Sequence, residues 1–143
     1  MVKKISITVA KAFCEKENYQ FTQPREKVLN VLLNSQQPMG AYDVLSALTT
    51  NKYKPNPPTI YRAIDFWLAH GFIHKIMSLN AYVACTHTHD HHQVELLICD
   101  TCKDVQETHL HLLSDKMTNQ ALHGFAANKI LTEIHGVCYK CQR

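Results

Sequence analysis

The sequence predicts an α+β chain: an N-terminal winged-helix domain, then a small α/β domain pinned by a four-cysteine metal site. Three observations predict it. Helical periodicity dominates up to Gly71, and two short apolar runs around a turn follow. Two Cys-x-x-Cys pairs stand towards the C-terminus, at Cys99/Cys102 and Cys138/Cys141. The charged inventory also changes along the chain. Residues 1–84 hold ten Lys/Arg against five Asp/Glu, residues 85–143 hold five against seven, and eight of ten His and five of six Cys lie from Cys85 onward. The expected division is therefore a winged-helix domain over 1–85, a His-rich hinge over 86–93 and an α/β domain over 94–143.

The first helix is expected from Ile5 to Tyr19. Thr22 is a candidate N-cap for a second, with Pro24 in its first turn and Val28, Val31 and Leu32 inward. Pro38-Met39-Gly40 ends it, and Tyr42 to Thr49 reads as a third helix burying Val44, Leu45 and Leu48. Three prolines between Asn51 and Pro58 exclude a continuous helix there. Thr59 is expected to open a fourth helix that stops at Gly71, a natural residue just past a helix end. Its core face is Ile60, Ala63, Ile64, Trp67 and Leu68, and its opposite face carries Tyr61, Arg62 and Asp65. Phe72–Ile76 and Ala81–Cys85 then form a hairpin about Ser78-Leu79-Asn80, the wing.

In the second half, Val94–Cys99 and Lys129–Val137 read as strands. His109–His123 reads as a helix burying Leu110, Leu113, Met117 and Ala121. About 50 residues bury little core alone, so a staple or a partner chain is expected. Composition fits a globular chain, with 45% apolar and 19% charged residues. No apolar run reaches the ~20 residues of a membrane span. Met1–Ala12 lacks a secretory signal pattern, so a cytoplasmic location is the default expectation.

The paired Cys-x-x-Cys turns carry the clearest chemistry. Each presents two thiolates, and two turns together make a tetrahedral four-sulfur zinc cage. Disulfides are disfavoured in the cytosol, and two equal pairs argue against a redox motif. A closed site of this kind is structural. A second, mixed-ligand site is suggested by His74 and Cys85 on opposite arms of the hairpin, by the imidazoles of His87, His89, His91 and His92, and by Glu107. One His, one thiolate, a second His and a carboxylate suit zinc. Against this stand ordinary packing of a lone His or Cys and a loop that merely scavenges metal.

Phe21-Thr22-Gln23-Pro24-Arg25, Pro57-Pro58-Thr59-Ile60-Tyr61-Arg62-Ala63-Ile64, Gly71-Phe72-Ile73-His74-Lys75 and the cysteine pairs occur in one order along nearly the whole chain. In that order they resemble the ferric uptake regulator family. The family usually reads Thr-Pro-Gln-Arg where this chain has Thr22-Gln23-Pro24-Arg25. Tyr42-Asp43-Val44-Leu45, Asp65-Phe66-Trp67-Leu68 and Tyr82-Val83-Ala84-Cys85 are similar to its zinc uptake regulator branch.

The resemblance implies regulatory ligands at His74, Cys85, His92 and Glu107, with His91 an alternative to His92. Further metal candidates are His87, His89, His109, His111 and His123. Thiolate at Cys85, where iron-sensing relatives carry a carboxylate, shifts preference towards zinc. The resemblance also implies a homodimer formed by residues 94–143, binding a palindromic operator in double-stranded DNA and repressing zinc-uptake genes.

On that reading Arg62 is the first candidate for base reading, since arginine donates twice to guanine. Tyr42, Thr59 and Tyr61 are further DNA contacts, and Lys52, Lys54 and Lys75 are phosphate contacts. The alternatives are an iron or peroxide sensor of the same family, a zinc hydrolase, and a metal buffer or zinc-stapled interaction module.

Overall fold

Local cap chemistry explains where each helix begins and ends. The computed structural model describes residues 4–86, 93–108, 122–127 and 130–143. The chain divides into two compact units, Met1–His89 and Asp90–Arg143.

In the first unit, Ser6 Oγ accepts the Val9 N–H at 3.2 Å and starts helix α1, Ile7–Lys16. The helix is shorter at both ends than its periodicity suggested. Ile5 precedes the cap, buried but outside the helix. Asn18 takes a left-handed conformation at φ 61°. Its N–H donates to Glu15 and that of Tyr19 to Cys14, a closed Schellman ending.

Thr22 Oγ1 accepts the Arg25 N–H at 3.4 Å and opens α2, Gln23–Asn34. It buries Val28, Leu29 and Leu32; Val31, expected inward, is only half-buried, and Leu29 takes its place. Helix α3 spans Ala41–Leu48 with Val44 and Leu48 buried and Leu45 half-buried. The Asp43 carboxylate accepts the Gly40 N–H at 3.0 Å.

Helix α4 spans Pro57–Ala69, so it begins two residues before Thr59. Pro57 and Pro58 fill its first two positions, where a missing N–H costs no helical hydrogen bond. It ends as expected: Gly71 has φ 75°, its N–H reaches Leu68 O, and that of Phe72 reaches Trp67 O.

Ile60, Ala63, Ile64 and Trp67 of α4 are buried in one core with Val28, Leu29, Val44 and Phe72. Strands β1 (Ile73–Ile76) and β2 (Ala81–Ala84) form the antiparallel wing. Between them lie a 3₁₀ turn at Met77–Leu79 and a left-handed Asn80. Met39 adds a bridge to Tyr82, with N–H···O distances of 3.0 and 2.8 Å. This bridge ties the segment just before α3 to the wing.

The second unit is a three-stranded sheet in the order β4-β3-β5. Strand β3 is Gln93–Cys99, β4 is Val105–Thr108 and β5 is Ile130–Gly136. Central β3 pairs antiparallel with β4 and parallel with β5. Val94, Leu96 and Ile98 are buried on one face of β3, and Glu95 is buried on the other. Strand β4 was not anticipated; β3 and β5 were. The helix expected at His109–His123 falls almost wholly outside the described residues, but Leu122–Gly124 form a turn in which His123 has φ 52°. The helical expectation therefore fails at its last residue. No helix of the described residues is long and apolar enough to cross a membrane.

Candidate metal centres and nucleic-acid face

Sheet register brings the four cysteines together. Cys99 ends β3 opposite Gly136 at the end of parallel β5, so the turns that follow leave the sheet at the same end. Cys102 lies in the β3–β4 turn, which is closed by the Lys103 N–H donating to Cys99 O at 2.9 Å. Cys138 caps and Cys141 ends a 3₁₀ turn at Tyr139–Cys141, closed by the Cys141 N–H donating to Cys138 O at 2.9 Å.

All four sulfurs lie within 4.8 Å of one another. Cys102 Sγ and Cys138 Sγ are 3.8 Å apart. A disulfide needs about 2.05 Å. A tetrahedron with Zn–S bonds of ~2.3 Å has sulfur–sulfur edges of ~3.8 Å, so the spacing fits zinc.

The electrostatics agree. The backbone N–H groups of Cys102 and Cys138 point at Cys99 Sγ at 3.5 and 3.3 Å and pull its pKa down to about 6. The neighbouring Cys138 thiol, aided by burial, pushes Cys141 up to about 12. Thiols this close do not all ionise unless a cation sits among them, and that is what the donor set is built to hold.

The wing carries a second donor pair. His74 pairs with Val83 across the hairpin, and Cys85 lies two residues beyond Val83. By strand alternation His74 and Cys85 share one face as diagonal neighbours. A ring nitrogen of His74 and the Cys85 sulfur lie within 4.8 Å. Both residues are buried, at 1% and 2% exposure. The Cys85 N–H donates to Phe72 O at 2.9 Å and fixes the strand end. One imidazole and one thiolate make a borderline-soft pair suited to zinc. In the second unit, Glu107 stands on β4 opposite Leu96, half-buried.

The outer face of α4 presents the expected residues. Tyr61 and Arg62 are exposed, and Thr59 is half-buried. Tyr42, at the start of α3, is 74% exposed. Lys52 and Lys54 are exposed; Lys75 is half-buried, its ammonium 5.9 Å from the Tyr82 ring. Behind this face Arg25 stacks on Phe66 at 3.7 Å and donates to Gln20 O. Arg25 and Thr22 line one groove with Thr59 and Arg62. An exposed helix face carrying arginine and tyrosine, on an apolar anchor, is suited to a DNA groove.

The ferric uptake regulator family matches residues 16–141, nearly the whole chain. The chain belongs to the ferric uptake regulator family. The zinc uptake regulation protein of Escherichia coli (strain K12) is 38% identical over 135 residues, covering 92% of this chain and 78% of that protein. A zinc uptake regulator complexed with zinc and DNA matches with a TM-score of 0.87 and 35% identity, covering 95% of this chain and 92% of the other. Holo XcZur matches with a TM-score of 0.82 and 32% identity, over 95% and 96%. These relatives put the chain on the zinc uptake regulator branch of the family.

For this ferric uptake regulator family member, the described residues include most of the candidate residues named from sequence. The two cysteine pairs come together, as do His74 and Cys85. His87, His89, His91, His92, His109 and His111 lie outside the described residues. His123 sits in a turn. Sequence reasoning missed Arg25 as the stacking partner of Phe66, and Lys27, whose ammonium lies 4.6 Å from the Tyr53 ring. Each contact joins residues far apart in sequence, with no local signal.

Proposed function

We propose that this chain is a zinc-responsive DNA-binding repressor of zinc-uptake genes, acting in the cytoplasm as a homodimer on palindromic operators. The observation that carries the reading is the buried His74–Cys85 donor pair on the hairpin directly after the exposed Tyr61–Arg62 face. Metal donors and the DNA-reading helix thus share one small core.

In this reading residues 1–85 bind DNA, residues 86–93 connect, and residues 94–143 dimerise around the Cys99, Cys102, Cys138, Cys141 zinc. Regulatory zinc takes His74, Cys85, His92 and Glu107, the ligands the family resemblance implies. A ligand held that way favours one state of the chain, and DNA that prefers the same state binds more tightly when zinc is present. Arg62 reads bases. Thr59, Tyr61 and Tyr42 contact sugar, phosphate or thymine methyl, and Lys52, Lys54 and Lys75 contact phosphates.

Family membership and zinc uptake regulator relatives favour this over a hydrolase. The sulfur donor at Cys85 favours zinc over iron or peroxide sensing. The reading is tested by gel shift on a zinc-transporter promoter with zinc, with Fe(II) and with a strong chelator. Retardation only with zinc is expected. Equal retardation after the mobile zinc is removed would defeat it.

A further inference from the structure

The segment ahead of α1 and the helix itself hold the Cys85 strand at two points. The Ile5 N–H donates to Thr86 O at 3.2 Å, one residue beyond Cys85. Ile5 is 4% exposed, and its side chain shares a small cavity with Leu32, Val83 and Cys85. The next residue, Ser6, caps α1, so the strap runs straight into the helix. At the other end of α1, Phe13 packs on Phe72 with ring centroids 5.1 Å apart. Phe72 O is the acceptor of the Cys85 N–H. Phe72 also lies two residues before His74 on the same arm of the wing. Ile5 thus bonds directly to the residue after Cys85, and Phe13, together with Trp67 of α4, packs on the residue that accepts the Cys85 N–H.

We infer that Ile5 and Phe13 are positioning residues for zinc at the His74–Cys85 pair: the N-terminal strap presets the thiolate against the imidazole. This rests on the regulatory-site reading above. A ligand whose surroundings hold it in place binds metal more tightly, because less freedom is lost on binding. Loss of such an outer partner typically weakens metal binding by roughly 10–100-fold.

The test uses the full chain with its structural zinc in place. Zinc affinity of the second site is measured by chelator competition, and Co(II) substitution reports thiolate coordination through its charge-transfer band. Ile5→Pro deletes the N–H given to Thr86. Val44→Ala, in the same core on α3, controls for plain loss of stability.

The expected result is about 10–100-fold weaker zinc binding and an altered Co(II) band in Ile5→Pro. Val44→Ala should bind zinc as the unaltered chain does, while melting earlier. Equal zinc affinity in Ile5→Pro and the unaltered chain would overturn the strap and leave the site standing. Equal weakening in both variants would overturn it too, reducing the strap to ordinary stability. An unaltered chain that takes up only the structural equivalent would overturn the site itself.

Discussion

The indole Nε1–H of Trp67 donates to the backbone carbonyl of Arg25 at 2.8 Å, joining α4 to the first turn of α2 across 42 residues. Trp67 is fully buried, and Arg25 stacks on the adjacent Phe66. The pair therefore fixes α4 to its support. Trp67→Phe removes this bond and part of the ring volume without stranding a donor. The lost bond costs ~1 kcal/mol and the cavity adds to it, for a total of roughly 2–4 kcal/mol. Urea denaturation followed by far-UV circular dichroism is the measurement. An unchanged midpoint would show that the contact contributes nothing.

Cys102 and Cys85 should behave oppositely. Cys102→Ser breaks the four-sulfur cage, on which a small unit depends for much of its folding. It should lose the structural zinc and the dimer, read by native mass spectrometry and sedimentation. Trp67, the one tryptophan in the sequence, lies in the core of the first unit, so its fluorescence should persist. Cys85→Ser should keep one zinc per chain and the dimer while losing zinc-dependent DNA binding. A Cys85→Ser protein that still responds to zinc would refute the regulatory role of this thiol.

Arg62→Ala should weaken binding to the operator by about 1–3 kcal/mol and relax base preference at one position per half-site. Competitive gel shifts with single-base operator variants separate this from a phosphate contact. Uniform weakening across all variants would reassign Arg62 to the backbone.

What was legible in the sequence was local. Thr22 and Gly71 mark helix ends through their own cap chemistry, and both act as expected. The convergence of His74 and Cys85 follows from hairpin register, and the cysteine pairs from spacing. Non-local pairing left no such trace. Strand β4, Val105–Thr108, has one apolar residue in four and owes its existence to β3 alongside. Met39 sits in a Pro-Met-Gly segment that reads as a breaker, yet it bonds to Tyr82 from both backbone groups. Val31 and Leu29 illustrate a different limit: they flank the Val28–Leu32 stripe on opposite sides of the helix, and only tertiary packing decides which flank is covered.

His70 gives the first unit a pH dependence of definite sign. It caps α4 among Phe66, Tyr19 and Phe13, with ring centroids at 4.6, 4.7 and 5.2 Å. Burial against these rings, and then the Arg25 guanidinium, lower its pKa below the ordinary histidine value of 6.5. The folded state therefore takes up this proton later than the unfolded state as pH falls. Above about pH 6.5 neither form is protonated and His70 has no effect on stability. As pH falls through that value the unfolded chain gains the proton first, and stability declines until the folded-state pKa is passed. His70→Phe keeps the aromatic packing and removes the titration. Melting curves of the two proteins between pH 7.5 and about 5 should diverge on the acid side, with the variant losing less. Acid release of zinc affects both proteins alike, so the difference between them isolates His70. Parallel curves across that range would show that the imidazole is as free to protonate in the fold as out of it.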